Sequence, residues 1–143
     1  MAKIVLVCLR NPAPARAAEV ANRLRRFVAS LCPDNLTPAK PIISTDGRGM
    51  FLGVYNPADP LAVHDCSAYA GWLENGQESW WRPGAPAPSG TYALLRGNAS
   101  TVEALADYAA SRTIWIAQTD EIFIASTSQL AIPYFLGSFE PNP

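Results

Sequence analysis

The sequence is poor in the side chains that build metal, redox and nucleic-acid sites. It holds one histidine, His64, and three widely spaced cysteines, Cys8, Cys32 and Cys66, with no Cys-x-x-Cys pair. This pattern argues against a zinc motif and predicts reduced thiols with no metal and no cofactor. The net charge of −1 gives no electrostatic basis for binding nucleic acid or an anionic membrane surface.

Long apolar runs are also lacking. No run approaches the roughly 20 residues that a membrane span needs. Residues 4–9 are apolar, but Arg10 and Pro12 follow at once, so this run is too short for the core of a signal peptide. We therefore expect a cytoplasmic protein without a membrane segment.

The sequence does contain enough apolar side chains for a core. Its 143 residues, 49% of them hydrophobic, predict a single domain over residues 1–143. The 13 prolines fall in clusters that mark loops and termini, because proline lacks a backbone donor and fixes φ.

The clearest local pattern is a hairpin followed by a helix start. Two β-branched and aromatic runs, Thr113–Ala117 and Ile122–Ala125, flank a polar turn and predict paired strands. The Ser126-Thr127-Ser128 cluster then predicts the start of a short helix. We expect Pro133 to disturb that helix and Gly137 to cap its C-terminus.

The remaining elements complete an α+β pattern. Residues 15–31 carry one apolar stripe at helical spacing and predict a long helix. Further strands are predicted at Lys3–Leu9, Pro41–Thr45, Met50–Tyr55, Thr91–Arg96 and Val102–Tyr108. Seven strands in hairpins and two helices predict two mainly antiparallel sheets packed on each other, with helices outside.

One polar cluster suggests a catalytic interpretation. His64, Asp65 and Cys66 are adjacent, and a Cys–His pair can act as nucleophile and base. On an extended segment His64 and Cys66 would share one face, with Asp65 on the other. Two interpretations stay open: a thiol hydrolase or transferase using Cys66 and His64, or an incidental pair.

Two adjacent tryptophans lie in the Pro- and Gly-rich stretch 74–89. Trp80 and Trp81 either stack on a ligand or cap the edge of the core, since tryptophan is large and mostly buried. The first interpretation would make the chain a small-molecule binding module.

From Pro88 onward the sequence carries a series of short motifs that occur in the same order in a known protein family. Residues 89–93, Ser-Gly-Thr-Tyr-Ala, resemble a small-Gly-x-Phe-Ala strand start, and Ala106-Asp107 resembles the beginning of an Arg-Asp-x-x-Gly turn. Residues 113–115 then resemble a Pro-Leu-Tyr strand, and residues 124–127 a Phe-Ala-Ser-Glu strand end before a short helix. The series resembles the N-terminal class II glutamine amidotransferase domain of asparagine synthetase and β-lactam synthetase.

This resemblance implies a fold as well as a function. The family fold is the αββα sandwich of N-terminal-nucleophile (Ntn) hydrolases, two mainly antiparallel sheets between flanking helices. Family members continue with further β structure beyond the short helix. We therefore expect this chain to lack the C-terminal part of the family domain.

The same alignment predicts a degenerate glutaminase site. The family nucleophile is an N-terminal cysteine, where this sequence has Ala2. The oxyanion segment Asn-Gly-Glu-x-Tyr-Asn aligns with residues 70–75, so Ala70 replaces an asparagine whose loss costs roughly 10²–10³ in rate. The candidate site region comprises Ala70, Gly71, Asn75, Trp80, Trp81 and Asp107.

The resemblance thus implies a domain with no catalytic residue. The family's ATP-binding Ser-Gly-Gly-x-Asp-Ser loop does not occur in the sequence either. We expect a structural or docking unit of an asparagine synthetase-like, ATP-dependent amide-forming enzyme, bound to a synthetase-like partner or to a second copy. The Trp80/Trp81 binding module and the Cys66–His64 enzyme remain the alternatives.

Overall fold

The computed structural model describes residues 2–31, 41–55, 60–74 and 78–137. Within these ranges the elements are β1 (Lys3–Leu9), α1 (Pro14–Ser30), β2 (Ile42–Thr45), β3 (Met50–Tyr55), β4 (Leu61–His64), β5 (Ser67–Leu73), β6 (Gly90–Gly97), β7 (Val102–Ala106), β8 (Trp115–Gln118), β9 (Ile122–Ser126) and α2 (Ala131–Leu136). All seven predicted strands are confirmed, with ends shifted by one or two residues. Strands β4 and β5 were not predicted.

Strand β1 lies at the centre of a five-stranded antiparallel sheet with the order β2-β3-β1-β9-β8. It pairs with β3, where Val5 faces Gly53, and with β9, where Val7 faces Ile124. Residues 4–7 are all buried, so both faces of β1 are covered. This explains why β1 shows no alternation of apolar and polar residues.

The second antiparallel sheet has the order β4-β5-β6-β7. Its first hairpin turns at Asp65-Cys66, and Asp65 has a φ of 50°, a left-handed conformation that aspartate tolerates. No glycine or proline marks this turn in the sequence. The assumption that His64, Asp65 and Cys66 lie on one extended segment was therefore wrong.

Both helices pack on the same face of the five-stranded sheet. The buried side chains of α1 are those of the predicted stripe, Val20, Leu24, Phe27 and Val28. Gly53 lets α1 approach β3, because a Cβ there would lie 2.8 Å from Val28 and 2.9 Å from Leu24. Neither helix in the described ranges is long and apolar enough to cross a membrane.

The opposite face of the five-stranded sheet packs on the four-stranded sheet. One buried apolar cluster combines side chains of both sheets, including Ile4, Leu6, Leu52, Ala68, Ala70 and Leu95. The predicted pair of antiparallel sheets, packed on each other with helices outside, is therefore confirmed as an α+β fold.

The outer face of the four-stranded sheet is covered by the irregular segment 78–89. Tyr92 and Leu94 of β6 form an apolar cluster with Tyr69 of β5 and Trp80 of this segment. The resemblance implied a helical layer on each side of the two sheets. In the part of the chain that is described, both helices lie on the five-stranded sheet.

The short helix α2 differs in detail from the prediction. Pro133 lies in its first turn, where a backbone donor has no partner within the helix, so the helix continues to Leu136. Gly137 caps it with a φ of 78°, as predicted. Ser126, expected in the capping cluster, instead accepts a bond from the Ser128 N–H and donates one to the Ile4 carbonyl.

Strands β5 and β6 approach each other through two glycines. Gly71 has a φ of 128°, and a Cβ there would lie 2.1 Å from the Thr91 carbonyl oxygen. Gly90 has a φ of 145°, and its Cβ would lie 2.2 Å from the Trp72 carbonyl oxygen. Only glycine fits either position, because both the conformation and the space exclude a side chain.

We predict that Gly71→Ala destabilises the protein far more than Gly47→Ala. Gly47 also has a positive φ, 70°, but no atom lies within 4 Å of its added Cβ, so its cost is about 1 kcal/mol of strain. Gly71→Ala adds a backbone clash and is expected to cost about 3 kcal/mol or more, or to prevent folding. Urea unfolding of both variants measures this, and equal midpoints would contradict the close approach of β5 and β6.

Candidate functional site

The main cavity lies where four segments meet at one end of the two sheets. The end of β2, the β4–β5 turn, residues 81–83 and the end of β6 enclose a volume of about 640 Å³. Its lining combines polar side chains with the sulfur atoms of Met50 and Cys66. It has the size and mixed lining of a small-molecule site.

Three side chains form a stack at this cavity. The rings of His64 and Trp81 lie parallel, with centroids 4.0 Å apart and an interplanar angle of 3°. The Arg82 guanidinium lies 4.8 Å from the centroid of the Trp81 ring, within cation–π range. The stack therefore joins β4 to segment 78–89 at the lining of the cavity.

Cys66 lies in the β4–β5 turn and is only 3% exposed. Its thiol contacts the Met50 carbonyl oxygen at 3.8 Å. Burial, with the nearby Asp46 and Asp65 carboxylates, raises the pKa of Cys66 to about 11. Burial likewise raises the pKa of Cys8 to about 12.

This environment does not supply the activated thiolate that the Cys66–His64 enzyme requires. A nucleophilic cysteine has a lowered pKa and a base beside it. Here the pKa is raised, and the His64 ring is stacked on Trp81 with its Nδ1 3.4 Å from Asp65. No hydrogen bond joins Cys66 to His64 in the described residues.

A buried ion pair holds segment 78–89 against the four-stranded sheet. Arg96 is 2% exposed, and its Nε lies 2.5 Å from Glu103 on the neighbouring strand. The same guanidinium donates to the carbonyls of Trp80, at 3.1 Å, and Ala85, at 2.5 Å. Glu103 also accepts from the Gly84 N–H at 2.8 Å. Together these contacts fix the backbone on both sides of Trp81.

Ser67 adds a third support at the cavity. Its hydroxyl donates to the Trp81 carbonyl at 3.1 Å and accepts from the Gly97 N–H at 3.1 Å. The chain at Trp81 is thus tied directly to the start of β5, and through Ser67 to the end of β6.

The two tryptophans separate into different environments. Trp80 meets Tyr69 edge to face, with ring centroids 4.9 Å apart, and caps the outer apolar cluster. Trp81 lines the cavity instead. Trp80 therefore matches the core-capping interpretation, whereas ligand stacking on Trp81 stays a prediction.

The residues aligned with the glutaminase site lie elsewhere. Ala70 is fully buried between the sheets, and Gly71 follows it in β5. Asn75 lies outside the described residues. Neither Ala70 nor Gly71 lines the main cavity.

Asp107 organises the turn that follows β7. It accepts hydrogen bonds from the Ser111 hydroxyl, from the N–H groups of Ser111 and Ala109, and from the Tyr92 N–H at 3.0 Å. The bond from the Ser111 hydroxyl is the main cause that lowers the pKa of Asp107, and the backbone N–H donors add to it. These contacts give Asp107 a structural role.

A second cavity, of about 440 Å³, lies at the start of β1, beside Ala2, the residue at the nucleophile position that the resemblance implied. Ala2 and Lys3 line it with Thr91, Arg112 and Thr127. Thr127 accepts from the Ile4 N–H through its hydroxyl oxygen, and the side chain of Ala2 is a methyl group. The residue at the expected nucleophile position therefore has no reactive atom.

Sequence reasoning missed Arg96, Glu103 and Asp46. A signal for the first two was present: Arg96 ends an apolar strand, and the predicted turn places Glu103 opposite it in the hairpin. Asp46 was read only as part of a turn, where its carboxylate does accept from the N–H groups of Arg48 and Met50 at 2.8 Å.

Neither the arrangement of possible metal ligands nor comparison with known proteins identifies this site. Among the described residues, no group of three His, Cys, Asp or Glu side chains is placed to hold a metal ion. Comparisons with protein-family models, curated proteins and solved structures gave no match. The function is therefore inferred from the geometry and the motifs.

We predict that Arg96→Met lowers the free energy of unfolding by about 3 kcal/mol or more, because it leaves Glu103 without its partner. The matched control is Arg26→Met on the exposed face of α1, expected to change stability by less than about 0.5 kcal/mol. Urea unfolding compares the two. Equal stability of both variants would show that the Arg96–Glu103 pair does not anchor segment 78–89.

We predict that Cys66 reacts slowly with iodoacetamide in the folded protein. At pH 8 a pKa of about 11 leaves about 100-fold less thiolate than the ordinary pKa of 9.0. Mass spectrometry on a Cys32→Ser variant follows the reaction, with the urea-unfolded chain as control. Equal rates in the two states at pH 8 would contradict the raised pKa.

The same pKa shifts set a pH dependence of stability. Both thiols bind their protons more tightly in the folded state than in the unfolded chain. This stabilisation is fully present below about pH 9 and is lost as the pH rises toward 11–12. The urea midpoint should therefore fall over that range, and less so in a Cys66→Ala variant.

Proposed function

We propose that the chain is a non-catalytic glutamine amidotransferase-like domain, a structural or docking unit of an asparagine synthetase-like, ATP-dependent amide-forming enzyme. One observation carries the proposal. The alignment assigns family glycines to Gly71, Gly90 and Ala110, and these residues have φ of 128°, 145° and 48°. A motif glycine commonly marks a backbone position that needs positive φ. All three positions thus have the positive φ that a motif glycine commonly marks.

The arrangement of the sheets supports the same proposal. Three of the aligned motif segments lie on β5, on β6 and in the turn after β7, in the four-stranded sheet or at its edge, and the other two lie at the start of β8 and on β9 in the five-stranded sheet. Two antiparallel sheets pack face to face, with helices on one side. An Ntn-type sandwich has this central pair of sheets.

The loss of glutaminase chemistry follows from two alanines. Ala2 is 1% exposed and Ala70 is fully buried, so methyl groups occupy the positions of the nucleophile and of the oxyanion-hole side chain. Each change removes a group that touches the reacting amide. Together they leave no means of attacking glutamine at this end of the sheets.

An open sheet edge supports the docking role. Strand β8 is the last strand of the five-stranded sheet, and its side chains Trp115 and Ile116 are 40% and 55% exposed. An exposed apolar edge strand can pair with a strand of another chain. We assign this edge as the docking surface for a synthetase-like subunit.

The first experiment measures release of glutamate from L-glutamine by the purified chain. We predict a rate equal to that of buffer. Turnover that is abolished by Cys66→Ser or by Cys8→Ser would overturn the non-catalytic assignment.

The second experiment tests docking by co-purification from the native source. Wild-type protein should bring down a subunit carrying an ATP-binding Ser-Gly-Gly-x-Asp-Ser loop, identified by mass spectrometry. Ile116→Lys should remove that subunit, whereas Leu130→Lys, at a residue 62% exposed outside β8, should not. A subunit retained equally by both variants would place docking away from β8.

A further inference from the structure

Two charged side chains of the main cavity, Arg82 and Asp46, form no ion pair with any described residue. Among the described residues, the Arg82 guanidinium contacts the Trp81 ring but no acceptor. Asp46 uses one carboxylate oxygen, Oδ1, to accept from two backbone N–H groups, and its Oδ2 accepts from no described donor. Arg82 and Asp46 line the same cavity without forming an ion pair with each other. A ligand can therefore meet both charges.

The rest of the lining is suited to an aromatic ring. His64 and Trp81 both line the cavity, and the side chain of His64, whose ring is stacked on Trp81, is 43% exposed. Met50 contributes a thioether, and sulfur–aromatic contacts are favourable. A planar apolar group would therefore find contacts in the same cavity as the two charges.

We propose that this cavity binds an aromatic α-amino acid in its zwitterionic form. The ligand carboxylate pairs with Arg82, the ammonium group with Oδ2 of Asp46, and the ligand ring lies against the partly exposed ring of His64. Arg82 suits a carboxylate because its guanidinium can donate two parallel hydrogen bonds.

The pairing of charges selects the zwitterion over simpler ligands. An aromatic anion would satisfy Arg82 but would bring a negative charge toward Asp46. An aromatic cation would satisfy Asp46 but would face Arg82. Asp65 adds a second carboxylate to the lining, which disfavours an aromatic anion further.

This inference is independent of the proposed function. The cavity lies at the end of β6, at Gly97, whereas the degenerate glutaminase position lies at the beginning of β6, beside Thr91. Ligand binding can therefore fail while the docking role stands, and docking can fail while ligand binding stands.

The test is calorimetric titration of the full chain with four matched compounds. L-Phenylalanine carries the ring and both charges, phenylacetate lacks the ammonium group, phenethylamine lacks the carboxylate, and L-alanine lacks the ring. We expect saturable binding of L-phenylalanine and at least about tenfold weaker binding of the other three, since each lacks the ring or one of the two charged groups that the site would contact.

Two variants test the proposed contacts of the ligand with Arg82 and Asp46. Arg82→Gln and Asp46→Asn should each weaken L-phenylalanine binding by about tenfold or more, and Asp46→Asn keeps an oxygen for the backbone N–H groups. Arg48→Gln is the control, because Arg48 is an exposed charge on the same turn that does not line this cavity. Its affinity should equal that of wild type.

Three results would overturn the proposal. The first is no heat of binding for L-phenylalanine up to about 10 mM, a concentration at which even a weak site fills. The second is equal affinity for phenylacetate or phenethylamine. The third is unchanged affinity in both Arg82→Gln and Asp46→Asn, with each variant shown to be folded by circular dichroism.

Discussion

The buried ion pair between Arg96 and Glu103 is the contact on which the candidate site depends. A buried guanidinium is costly unless it is paired and its donors are satisfied. Here it is satisfied by Glu103 and by the carbonyls of Trp80 and Ala85. The pair therefore draws an irregular segment onto the sheet, and the stack of Trp81 on His64 follows from that position.

The two ends of the sandwich have different properties. At the start of β1, Ala2 is buried and Asp107 holds the adjoining turn. At the other end, Arg82, Asp46, His64 and Trp81 are among the residues that line a cavity of about 640 Å³. The proposed function concerns the first end, whereas the proposed ligand site lies at the second.

Most of the fold could be predicted from the sequence, because β-branched runs, helical periodicity and turn residues act locally. The β4–β5 hairpin could not, since its turn at Asp65-Cys66 relies on a left-handed aspartate and lacks glycine. The site was predicted only in part. Trp81 and His64 were singled out separately, but their stacking depends on Arg96, whose contacts reach back up to 16 residues along the chain.

The most direct test is the proton NMR signal of His64, the only histidine in the chain. Stacking on Trp81 at 4.0 Å should shift its ring protons upfield of the unfolded position through the indole ring current. The account predicts this shift in wild-type protein and its loss in a folded Arg96→Met variant. An unshifted signal in wild type, or a shift unchanged in that variant, would contradict the claim that the Arg96–Glu103 pair positions Trp81.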